Sequence, residues 1–193
     1  MALGAGLILY GVTAAMTVLA GLGLDPWDVL HQGLARTVGL AIGTWAILLS
    51  LLVLAAWRPL RQRPGVGTVA NALVVGAVMD VVLALISPPH GLAARIALLV
   101  GGVFGNGVAT GLYIGAGLGP GPRDGLSTGI AGRGYSMRVV RTSIEATVLV
   151  AGFLLGGTVG VGTVLYALAI GPITHQTIPA LRVGSRNGSR RRG

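Results

Sequence analysis

Cysteine is absent from the chain, which excludes disulfides, thiol catalysis and Cys-based metal sites. Lysine is absent too: all 14 basic residues are arginine, a pattern of genomic composition bias that also favours buried ion pairing. Charge is scarce, at 10% of 193 residues, against about a quarter in a soluble domain. So little charge cannot coat a soluble surface. His31, His90 and His175 are too scattered for a metal site. No phosphate-binding glycine loop, nucleophile motif or catalytic carboxylate pair emerges, so no enzyme, no cofactor and no metal is expected.

What is present is apolar: 53% of the residues are hydrophobic, mean hydropathy is +0.81, and there are 34 glycines. Small residues allow helices to approach closely in lipid. Six stretches reach the roughly 20 apolar residues that a membrane span needs: Ala2–Leu24, Gly39–Trp57, Val66–Ile86, Ile96–Gly119, Val139–Gly157 and Thr158–Pro179. The first lacks a basic n-region and is too long for a signal-peptide core, so it reads as a retained helix. The last two are divided by little more than Gly156 and Gly157.

The net charge of +9 would point to nucleic acid in a soluble protein, but here the arginines cluster between apolar runs, and nucleic acid is not expected as a partner. Arg58, Arg61 and Arg63, then Arg123, Arg133 and Arg138, then the tail from Arg182 to Arg192 all fall on one side of a six-span chain. The other side has Arg36 and Arg95, and Arg141 lies inside a span. An excess of basic loops marks the cytoplasmic side, so both termini are expected in the cytoplasm of a bacterial inner-membrane protein. The Arg-rich tail, 182–193, reads as disordered and drawn to anionic lipid.

The chain repeats itself. Gly21-Leu-Gly-Leu-Asp-Pro-Trp-Asp-Val-Leu30 aligns with Gly117-Leu-Gly-Pro-Gly-Pro-Arg-Asp-Gly-Leu126, and Gly65–Gly76 aligns with Gly160–Gly171. Three spans per copy is an odd number, so the second copy enters from the opposite face. The expected fold is all-α: six transmembrane helices as two inverted three-helix repeats, 1–90 and 91–181. Such repeats are a common plan of secondary transporters.

Asp25-Pro26-Trp27-Asp28 has the form of a helix start, with Asp25 as cap, Pro26 at the first position and Asp28 at the third, placed to return to the cap N–H. Gly121, Pro122 and Asp124 take the same places in the second copy. The helices they open, Trp27–Arg36 and Arg123–Ala131, are too short to span and read as re-entrant or interfacial. Two such N-termini facing each other offer a site for an anion or a polar solute, or they only cap interfacial helices. Trp27, Asp28, Arg123 and Asp124 are therefore candidate binding residues.

Ionisable groups inside spans complete the set. Arg141 and Glu145, four apart on one helix face, neutralise each other and either form a structural pair or contact the solute. Asp80 in the third span matches His175 in the sixth, a candidate proton-coupling pair unless both are simply wet. Asn71, aligned with Tyr166, reads as interhelical glue.

With Arg141-Thr-Ser-Ile-Glu145 and Leu155-Gly-Gly-Thr-Val-Gly-Val-Gly-Thr163, these motifs resemble the YczE/YyaS/YitT family of bacterial membrane proteins over nearly the whole chain. The resemblance implies a multi-pass inner-membrane protein from a family in which some members are linked to production of peptide or polyketide natural products. It carries over no catalytic residue and no substrate. The functional expectation is a small permease with a polar site between its repeats, taking a small polar or anionic solute. The alternatives are an accessory or scaffold protein supporting export or biosynthesis, and the substrate-binding subunit of a modular importer. The bilayer is the expected partner, and the glycine content favours a homodimer.

Overall fold

Most helices of this protein start or stop where the sequence supplies a cap, a glycine or a proline. The computed structural model describes residues 1–182, and the expected tail lies almost wholly outside them. Among the described residues there are eight helices and no strand: α1 (Ala2–Ala20), α2 (Pro26–Val38), α3 (Ile42–Ala56), α4 (Val66–Leu85), α5 (Leu92–Gly115), α6 (Pro122–Ala131), α7 (Met137–Leu154) and α8 (Val161–Ala180). α1 stops at Gly21, whose left-handed conformation (φ 59°) suits glycine and closes the last turn. The division expected at Gly156 and Gly157 is a short connection over residues 155–160, turning at Gly156 (φ 87°).

α1, α4 and α5 are long and apolar enough to cross a membrane. α2 and α3 bend against each other by 114°, and counted as one broken element they make a fourth candidate. α3 alone has 15 residues, a rise of about 22 Å against roughly 30 Å of hydrocarbon. α7 carries Arg138, Arg141 and Glu145, and α8 contains Pro172, His175 and Pro179. Outward from the packed core, Leu48, Leu51, Leu52, Leu73, Val81, Val100, Phe104 and Leu168 are exposed. A soluble monomer does not display so much apolar surface.

α1 lies antiparallel to α5, with Gly6 against Tyr113 at one end and Arg95 bonded to the carbonyls of Ala20 and Gly21 at the other. α4 runs parallel to α1, where Gly11 meets Val75 and Val78; α8 runs parallel to α5, where Gly107 meets Ile173 and Gly111 meets Thr177. The contact pattern of α1–α4 recurs in α5–α8. α1 on α4 matches α5 on α8, α2 on α3 matches α6 on α7, and α2 on α7 matches α6 on α3. The packing of α3 on α4 has no comparable counterpart between α7 and α8.

Hydrogen bonds between connections repeat in the same way. Gly67 N–H donates to Leu118 O (2.9 Å), and Gly162 N–H donates to Leu22 O (2.8 Å). Arg133 donates to Pro59 O (2.7 Å), and Arg36 donates to Gly156 O. Two sets of segments result. One joins residues 57–68 to 116–121 and 131–136; the other joins 20–24 and 36–39 to 92–95 and 155–162.

Candidate solute site

The α2 motif folds as its residues dictate. The Asp25 carboxylate accepts from Trp27 N–H (2.9 Å) and Asp28 N–H (3.2 Å), and Pro26 needs no acceptor at the first position. Asp28 does not return to the cap. Its carboxylate instead meets His31 Nδ1 at 2.9 Å, one turn along and fully buried. α6 opens on Gly121, which has no side chain to cap it, and Asp124 accepts from the Tyr113 hydroxyl at 3.1 Å rather than from the cap N–H.

Arg123 ties the two motifs together. Its Nη1 stands 3.3 Å from Asp25 Oδ1, its Nη2 3.8 Å from Asp28 Oδ1, and its guanidinium carbon 5.0 Å from the centroid of the Trp27 ring. Arg123 and Trp27 occupy matching positions in the two sequence copies, so equivalent residues meet. Burying a guanidinium against two carboxylates and an aromatic face offsets the desolvation that either sign would suffer alone. This placement also removes Arg123 from the loop arginines with which the sequence reading had grouped it.

Beside this cluster lies a cavity of about 390 Å³. Its wall takes Trp27 and Asp25 from the first motif, Arg123, Asp124 and Ser127 from the second, Tyr10 from α1, Asn71 from α4, Thr110 and Tyr113 from α5, Arg141 and Glu145 from α7, and Tyr166 from α8. Arg141 Nε donates to Glu145 Oε1 at 3.0 Å, the expected i, i+4 pair. Tyr10 and Tyr113 pack edge to face at 6.0 Å, and the Tyr166 hydroxyl donates to Asn106 at 3.1 Å.

A family model described as a family of unknown function, DUF6198, matches residues 1–179. The chain belongs to this family. It is 42% identical to an uncharacterised protein of Haemophilus influenzae over 168 residues, covering 86% of this chain and 77% of the relative. It is 32% identical to the uncharacterised membrane protein YczE of Bacillus subtilis over 178 residues, covering 91% and 83% of the two. YyaS of the same organism, also uncharacterised, is 28% identical over 183 residues, covering 91% and 90%. The YczE and YyaS resemblance read from the motifs is thus borne out. No solved structure matches the chain.

Five of the six candidate binding residues of this DUF6198 chain line one cavity: Trp27, Arg123, Asp124, Arg141 and Glu145. Asp28 sits one layer behind, against His31 and Arg123. Asp80 and His175 are not joined by an ion pair or hydrogen bond. Asp80 accepts from Gly43 N–H (2.6 Å) and the Thr44 hydroxyl (2.9 Å), capping α3 from across the α3–α4 contact, while His175 is exposed on α8. The sequence reading passed over Asp25 as an ionic partner, and over Tyr10, Tyr113 and Ser127. It had Asn71 and Tyr166 only as glue. One signal for them was available: Tyr10 aligns with Asn106 as Tyr166 aligns with Asn71, the same two residue types exchanged between copies.

Proposed function

We propose that this protein is a small permease, with six membrane crossings arranged as two inverted halves and a solute site in the cavity between them. The observation that carries the reading is the convergence of both loop motifs on one wall of a 390 Å³ cavity, with Arg123 of the second paired to Asp25 and Asp28 of the first. Sites at the junction of two halves, built around broken helices, are a recurring design of secondary transporters. The opposite run of α1 and α5, and the recurrence of their contacts, supports the inverted arrangement.

The two sets of joined segments support sidedness. Arg58, Arg61, Arg63 and Arg133 belong to one set, with Arg138 just beyond it at the start of α7; Arg36 and Arg95 belong to the other. On the positive-inside rule the first set faces the cytoplasm. Met1 and Arg182 fall on that same side, since Gly6 packs at Tyr113 and Gly115 at Leu181. α2 and α6 then run from the cavity back toward the faces they came from, as re-entrant half-helices.

Reconstitution into liposomes with a screen of small polar solutes tests the reading. Saturable uptake is expected for at least one solute, lost when Asp28→Asn and Asp124→Asn are combined. Uptake that survives both substitutions contradicts the site.

A further inference from the structure

Arg123 fills a receptor made by the other half of the chain. The receptor is an aromatic face and two carboxylates in one place: the Trp27 ring, Asp25 and Asp28, with the two acid side chains 6% and 3% exposed. A ring face binds a cation through its quadrupole, and paired carboxylates suit the planar fork of a guanidinium. The occupant is not locked in the core. The Arg123 side chain is 29% exposed and forms part of the cavity wall, so it borders the open space of the cavity.

The rest of the wall favours the same sign. Asp25, Asp124 and Glu145 face the cavity against Arg123 and Arg141, and Asp28 lies behind. Among the described residues Asp124 has no arginine or histidine within ion-pair distance; the Tyr113 hydroxyl is its partner, and Arg141 is held by Glu145. An anion at the α2 N-terminus would meet the Asp25 carboxylate, which already accepts the two free N–H groups there.

We infer that Asp25, Trp27 and Asp28 form the binding site for a small planar organic cation of the guanidinium class, and that Arg123 is a tethered competitor for it. This rests on the proposed reading of the cavity as a solute site. The incoming cation replaces the Arg123 guanidinium one for one, so the two carboxylates always face a cation. When the solute leaves, Arg123 closes the receptor again.

Titration calorimetry of the full-length protein in detergent, with methylguanidinium as the probe and acetate as the anionic control, tests the inference. Wild type is expected to bind methylguanidinium and not acetate. Arg123→Gln should bind the cation about tenfold more tightly or better, because removing an internal occupant raises the fraction of open receptors. Adding Asp28→Asn to Arg123→Gln should reverse that gain. If Arg123→Gln does not fold, Arg123→Lys serves, as a weaker competitor that should still tighten binding. An arginine replacement that folds and binds no more tightly than wild type overturns the inference, as does preferential binding of acetate. Uptake of an anionic or neutral solute with no response to methylguanidinium overturns the cation assignment alone. Binding of methylguanidinium with no transport of any solute overturns the permease reading alone.

Discussion

A carboxylate inside an apolar helix has to find partners, and Asp80 finds them in the backbone N–H of Gly43 and the hydroxyl of Thr44. Those bonds satisfy the start of α3, where Ala41 offers no side-chain cap. Asp80→Ala should therefore cost about 1 kcal/mol, the usual loss for a removed cap, read as a lower melting temperature in detergent with solute affinity unchanged. A changed affinity at unchanged stability would return Asp80 to the coupling role that its sequence position suggested. Residue chemistry was legible where it was local. Asp25 as a cap, Pro26 at the first helical position and the Arg141–Glu145 pair all follow from spacing along one helix. Partnerships across the molecule were not, because Arg123 reaching Trp27 and Asp25 depends on the approach of segments 98 positions apart. The turn of Asp28 toward His31 also depends on burial that no local pattern encodes.

At the scale of elements, glycine and proline did most of the marking, and the helix starts and stops fell close to where those residues stand in the sequence. The exact number of crossings was less legible, since α3 is short, α7 is charged and α8 carries two prolines and polar residues. Pro172 lies inside α8. Gly171 and Thr174 line the cavity on either side of Pro172, which lacks the N–H that would bond one turn back. In a permease this is where α8 can flex as the cavity opens. Pro172→Ala should raise the melting temperature, proline being up to ~3 kcal/mol less favourable than alanine in a helix interior, while slowing uptake. Faster uptake, or no change, would remove α8 from the moving parts.

At the scale of the whole molecule, contacts recur in pairs. The aligned blocks lie at the two motifs and at Gly65 and Gly160, and hydrogen bonds near them come in pairs: Gly67 with Leu118 and Gly162 with Leu22, Arg133 with Pro59 and Arg36 with Gly156. What the alignment did not carry was the difference between the halves. Asp25 answers to Gly121, and Trp27 to Arg123, so one motif supplies acids and a ring while the other supplies the cation that fills them. The cavity wall is therefore asymmetric in charge although several helix contacts around it recur in pairs.

The proposed inverted arrangement of the halves underlies both the permease reading and the placing of the site. Because the chain has no cysteine, single reporters can be introduced directly. Ala41 and Ser136 are exposed and hold the matching positions just before α3 and α7. With Ala41→Cys and Ser136→Cys made separately in sealed vesicles, a membrane-impermeant maleimide should label the two from opposite faces. Labelling of both from the same face would contradict the account.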